Sequence, residues 1–103
     1  MERLRISSGS QWEPRVGYCR AVRAGQFVCV AGTTGTDASG AVVSADAYAQ
    51  TKRALERLIA ALHEAGARVD DVVRTRMYVT DISQWEAIGR AHAEVFGHRP
   101  SKS

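Results

Sequence analysis

The sequence predicts an α+β domain, a mixed β-sheet with two helices packed on one of its faces. Three observations carry this reading. Two short apolar runs flank a glycine turn near Gly25, and two later segments repeat apolar residues at helical spacing. Between those two segments lies a run of strict alternation, Val72 to Thr80. Strand, helix and strand in that order demand a parallel crossover, and the earlier turn demands antiparallel pairing.

The elements follow in order. Arg3-Leu4-Arg5-Ile6-Ser7 alternates and reads as a short strand, and Ser8 to Val16 reads as a loop. Tyr18 to Val22 and Gln26 to Gly32 form a hairpin joined by Arg23-Ala24-Gly25, with Gly25 supplying a positive φ at the end of a three-residue loop. That register sets Cys19 opposite Cys29 in a non-hydrogen-bonded pair. It puts Cys19, Ala21, Phe27 and Cys29 on one face, and Tyr18, Arg20, Val28 and Val30 on the other. The turn-rich stretch Gly32 to Gly40 lacks a phosphate-loop pattern and leads to a short strand, Ala41 to Val43.

Asp46 caps a helix from Ala47 to about Ala65, with Leu55, Leu58, Ile59 and Leu62 as its apolar stripe and Gly66 as its C′ residue. In the next strand Val73, Thr75, Met77 and Val79 share one face, and Arg74, Arg76, Tyr78 and Thr80 the other. Ser83-Gln84-Trp85-Glu86 has the capping-box pattern and opens a second helix with Trp85, Ile88, Val95 and Phe96 inward and Gly97 at its end. Arg99, before Pro100, is extended. Val28, Val30 and Tyr78, beside Arg20, Arg74 and Arg76, leave one sheet face too apolar for water, so an oligomer is expected.

The 103 residues make one domain, residues 1–103, and 45% apolar with 24% charged residues is ordinary for a folded chain. The net charge of +3 comes from scattered arginines, with lysine only at positions 52 and 102, and gives little reason to expect a nucleic-acid partner. No apolar run approaches the ~18–20 residues of a membrane helix, so no membrane partner is expected. The first six residues, Met1 to Ile6, hold no apolar signal region, which points to the cytoplasm and to reduced thiols at Cys19 and Cys29. His63, His92 and His98 are not spaced as metal ligands, so no metal is expected.

Several blocks together resemble the YjgF/Rid family, also catalogued as the L-PSP endoribonuclease family. They are Tyr18-Cys19-Arg20-Ala21-Val22, Phe27 to Thr33, Tyr48-Ala49-Gln50-Thr51, Ala65 to Thr75, Tyr78-Val79-Thr80-Asp81 and Phe96 to Pro100. The most specific is Gly66-x-x-x-Asp70-Asp71-Val72-Val73. The resemblance implies a chorismate-mutase-like (YjgF-type) fold and a homotrimer with ligand clefts between subunits. It implies hydrolysis of reactive enamines or imines to 2-oxo acids and ammonia, with no cofactor. In that chemistry an arginine grips the substrate carboxylate in bidentate fashion, and a glutamate assists the proton transfers.

Carried onto this sequence, Tyr18 matches the family's cleft tyrosine and Gly32 its glycine at the end of the third strand. Ala31 stands in place of a serine, Thr33 of a glutamine and Gly89 of an asparagine. Lys102 falls roughly where the arginine belongs and is the one catalytic candidate. The ligand-binding candidates are Tyr18, Ala31, Gly32, Thr33 and Arg76, the last from the Arg74/Arg76 face. The family's last two strands, with the glutamate, are missing. The expectation is therefore a divergent member that is either a truncated version of a longer protein or has its open sheet edge filled by a neighbouring chain, with reduced or absent deaminase activity. The alternative is a non-enzymatic trimer that binds small carboxylated metabolites. A third reading, RNA binding or cleavage, has no histidine pair or aromatic–basic stripe behind it.

Overall fold

A computed structural model of the chain describes residues 2–97. The elements are β1 (Arg3–Ile6), α1 (Trp12–Val16), β2 (Ala21–Ala24), β3 (Phe27–Val30), α2 (Ala47–Glu64) and α3 (Trp85–Phe96), with 3₁₀ turns at Val69–Asp71 and Ile82–Gln84. The strands form one sheet in the order β1-β2-β3, antiparallel throughout. The α+β class holds. The parallel crossover does not appear among the described residues, because the alternating segment from Val72 to Thr80 is not a strand. Alternation gives a segment two faces, but a strand also needs a hydrogen-bonded neighbour, and among the described residues this one pairs with none.

The hairpin differs from its sequence reading by one residue. Ala24 pairs with Phe27, so the turn is the two-residue Gly25-Gln26. Gly25 has φ +63° and Gln26 no positive φ, the pattern of a type II′ turn. The slip moves every partner: Cys29 faces Val22 rather than Cys19, and both thiols are free. It also turns the faces around. Ile6, Ala21 and Val30 now form one row, and with Val28 they pack against Ala61 of α2 and Ala65, its C-cap. Val28 and Val30 thus lie on the covered face, and Phe27 and Cys29 are exposed.

Asp46 caps α2 as expected, its carboxylate accepting from the Ala49 N–H at 2.8 Å. At the other end Gly66, at φ +82°, donates to the His63 carbonyl, and Ala67 donates to that of Leu62. Those two bonds are a Schellman motif, which only a residue at ease with positive φ can complete. Leu55, Ala61 and Leu62 are buried along α2. α3 lies against α2 and buries Ile88, Ala91 and Phe96. Its start differs from expectation. Ser83 does not cap it: the helix follows directly on the 3₁₀ turn Ile82–Gln84, which Asp81 caps by accepting from the Ser83 N–H at 3.0 Å. Its own N-cap residue is Gln84, with no side-chain cap bond, and Trp85 is exposed. The Tyr48 hydroxyl donates to Glu94, and Lys52 meets Glu94 at 3.1 Å, tying α2 to α3. The loop after Ser8 contains α1, and Ala41 to Val43 contributes only a single bridge, Thr36 to Val42.

Candidate functional site

Beyond β3 the chain leaves the sheet through Ala31, whose N–H still reaches the Arg20 carbonyl at 3.0 Å, and runs back along α2 as the loop 31–36. A close approach holds this loop to the helix. Gly35 is buried, and a Cβ there would land inside the backbone of Gln50. The Thr33 hydroxyl donates to the Ala31 carbonyl at 2.8 Å, which folds the loop's first turn.

Four loop acceptors are met by arginines. Arg20 Nη2 donates to the Gly32 carbonyl. Arg57 Nη1 donates to the Thr34 carbonyl and the Thr36 hydroxyl, each at 2.9 Å. Arg53 Nε donates to the Thr36 carbonyl at 2.7 Å, and its Nη1 pairs with Glu56 at 3.3 Å. Arg20 is 5% exposed, and its guanidinium lies 5.7 Å from the Tyr18 ring centre, within cation–π range. The Arg20 Nε is buried without a hydrogen-bond partner.

Beside the Glu56 carboxylate on Arg53, a second carboxylate faces these charges. Glu13 of α1 is 3% exposed and accepts from the Ser7 hydroxyl at 2.9 Å and from the Ser8 N–H and hydroxyl. Burial pushes its carboxyl up. The Ser8 and Ser7 hydrogen bonds and the Arg20 charge outweigh that and hold it below the ordinary value. The Glu13 backbone carbonyl also accepts from the Tyr18 N–H at 3.0 Å, so α1 sets the position of the tyrosine. Burial, then the charges of Arg20 and Arg53, lower the pKa of Arg57.

The structure thus gathers Tyr18, Ala31, Gly32 and Thr33 around Arg20. Arg76 stands apart from them: it is exposed, with Nη1 3.3 Å from the Tyr78 hydroxyl. Lys102 lies outside the described residues. Nothing in the sequence marks Glu13, Arg20, Arg53 and Arg57 together as site residues. A signal for two of them was present, since Arg53 and Arg57 are four apart on α2 and so share a face. Among the described residues no three His, Cys, Asp or Glu side chains converge as metal ligands. No described helix is long and apolar enough to cross a membrane.

A three-stranded antiparallel sheet backed by a long helix, with a loop folded onto that helix, is a small α+β fold. Known proteins share both fold and sequence. Residues 9–103 match the family model described as Endoribonuclease L-PSP. An uncharacterized protein of Streptomyces coelicolor is 41% identical over 92 residues, which cover 89% of this chain and 69% of that protein. The crystal structure of Rv2704 from Mycobacterium tuberculosis, a member of the YjgF/YER057c/UK114 family, superposes with a TM-score of 0.84 at 53% identity, covering 93% of this chain and 75% of that one. The 2-iminobutanoate/2-iminopropanoate deaminase of Salmonella typhimurium is 28% identical over 79 residues, 77% of this chain and 62% of the enzyme. The chain belongs to the Endoribonuclease L-PSP (YjgF) family. It spans about two thirds of the length of these curated relatives.

Proposed function

We propose that this protein acts on small imines or enamines, hydrolysing them to a 2-oxo acid and ammonia without a cofactor, in a cleft bordered by Tyr18 and the loop 31–34. The observation behind this reading is the arginine-lined loop beside an exposed tyrosine, in a chain similar to an iminobutanoate deaminase. In such a reaction water adds to the C=N carbon, the carbinolamine collapses and ammonia leaves. The protein's task is to fix the carboxylate and to position water and protons. The cleft is formed between subunits of a homotrimer, and Arg76 is a further ligand-binding candidate there. The working location is the cytoplasm.

One feature favours a second reading, a binder of small carboxylated metabolites without catalysis. The carboxylate beside the loop, Glu13, is buried and saturated by Ser7 and Ser8, so it is poorly placed to shuttle protons. An assay separates the two. The chain is mixed with a lyase that releases 2-aminoacrylate from serine, and ammonia release is followed. Faster release than the lyase alone supports the enzyme. Unchanged release together with saturable binding of 2-oxobutanoate supports the binder. Neither effect would defeat both.

A further inference from the structure

The guanidiniums beside the loop 31–36 exceed their local counter-charge. Arg53 is neutralised by Glu56. That leaves Arg20 and Arg57 against the carboxylate of Glu13, whose oxygens are already taken by Ser7 and Ser8. Each of the two arginines spends hydrogen bonds on the loop, yet the Arg20 Nε–H is buried without an acceptor. A buried guanidinium N–H with no partner is rare in folded proteins and marks a place where an acceptor belongs. Two groups that touch the Arg20 guanidinium, the Tyr18 ring and Gly32, are exposed, so the guanidinium lies close beneath the surface at this point.

We infer that Arg20 and Arg57 form an oxyanion site at the lip of the loop 31–36, and that it takes the carboxylate of the small 2-oxo or 2-imino acid assigned to the cleft. The inference rests on that cleft reading. Arg20 offers a planar Nε/Nη edge for a carboxylate, and Arg57 approaches from the helix side with the charge that holds it. The lowered pKa of Arg57, traced to burial and to its arginine neighbours, is the electrostatic cost such an anion would relieve. Gly32 and Thr34, whose carbonyls the two arginines hold, are parts of the same loop, so the anion and the loop geometry are coupled.

The test is a titration of the full chain, ¹⁵N-labelled at arginine, followed by NMR of the arginine Nε–Hε groups. Three probes are used: 2-oxobutanoate, its neutral relative 2-butanone, and inorganic phosphate. The expected result is saturable movement of the Arg20 and Arg57 signals with 2-oxobutanoate and none with 2-butanone. Arg57→Gln should weaken 2-oxobutanoate binding about ten- to a hundredfold, the loss of one charge-assisted contact. Arg57→Lys, which keeps the charge and loses the fork, should fall between, and it serves if the Gln variant does not fold. Binding that leaves both arginine signals still, or a Gln or Lys variant with unchanged affinity, overturns the arginine site and leaves the cleft reading standing. Phosphate binding at Arg20 without 2-oxobutanoate binding overturns the carboxylate assignment. No binding of 2-oxobutanoate anywhere overturns both.

Discussion

Two residues, Gly35 and Glu13, bear on the loop and on the arginines that hold it. Gly35 lies so close to α2 that any side chain would collide with the Gln50 backbone, which cannot move aside as a flexible side chain could. Gly35→Ala should destabilise the fold by about 1–3 kcal/mol. It should also pull Thr34 and Thr36 off Arg57, which loss of the Arg57 response to 2-oxobutanoate in the same titration would report. Glu13 acts on the arginines that hold the loop, through its charge interaction with Arg20. Its carboxyl is held below the ordinary glutamate value, so it binds a proton less readily folded than unfolded. Its contribution to stability is therefore complete above the unfolded value of about 4.3 and fades as pH falls through the lower folded value. Glu13→Gln should cost about 1–3 kcal/mol near pH 7, and the gap to the parent should close as the pH is lowered below about 4. Urea unfolding of both proteins from about pH 3 to 7 checks this, and a gap independent of pH would contradict it.

At the scale of elements, what the sequence made legible was what is decided locally. The caps of α2 follow from Asp46 and Gly66 alone, because each acts on backbone groups within one turn. Gly66→Ala should cost about 1–2 kcal/mol through its φ of +82°, aggravated where the new Cβ meets the Arg23 guanidinium. For a domain of this size that is a fall of about 4–8 °C in Tm per kcal/mol, readable by thermal denaturation. The hairpin register was less legible, since Gly25 serves equally as the last residue of a three-residue turn or the first of a two-residue turn. The rows it sets decide which valines are inside. The segment from Val72 to Thr80 shows the same limit, because no pattern within it names the strand it should pair with. In the fold it is held to α3 by the 2.9 Å contact of the Thr75 hydroxyl with His92 Nε2. The site divides in the same way. Tyr18 and Gly32 are named as candidates by the family's residues, whereas the bond from Arg20 to the Gly32 carbonyl is visible only once the loop has folded back.

At the scale of the whole molecule, the exposed apolar side chains call for a partner surface. Phe27 is 77% exposed and Tyr78 84%, with Val73, Met77 and Ile82 also in water. The register shifts the residue basis of the proposed trimer from Val28 and Val30 to Phe27 and its row on the open face. Phe27→Asp should convert the assembly to monomer at tens of micromolar with its helical content unchanged. Sedimentation velocity with circular dichroism tests this, and an unchanged mass would place the interface elsewhere.

The sheet's edge pattern has one more consequence, in the timescale of its amides. Of the described strands β2 alone is bonded on both sides, while β1 and β3 each have one edge without a described strand beside it. In deuterated water the N–H groups of β2 should be the slowest of the sheet to exchange, and the outward amides of β3 among the fastest. Any strand that docks along β3, from whatever source, makes it the protected centre. The order of exchange between β2 and β3 therefore reports whether that edge is filled, whatever the identity of the strand that fills it.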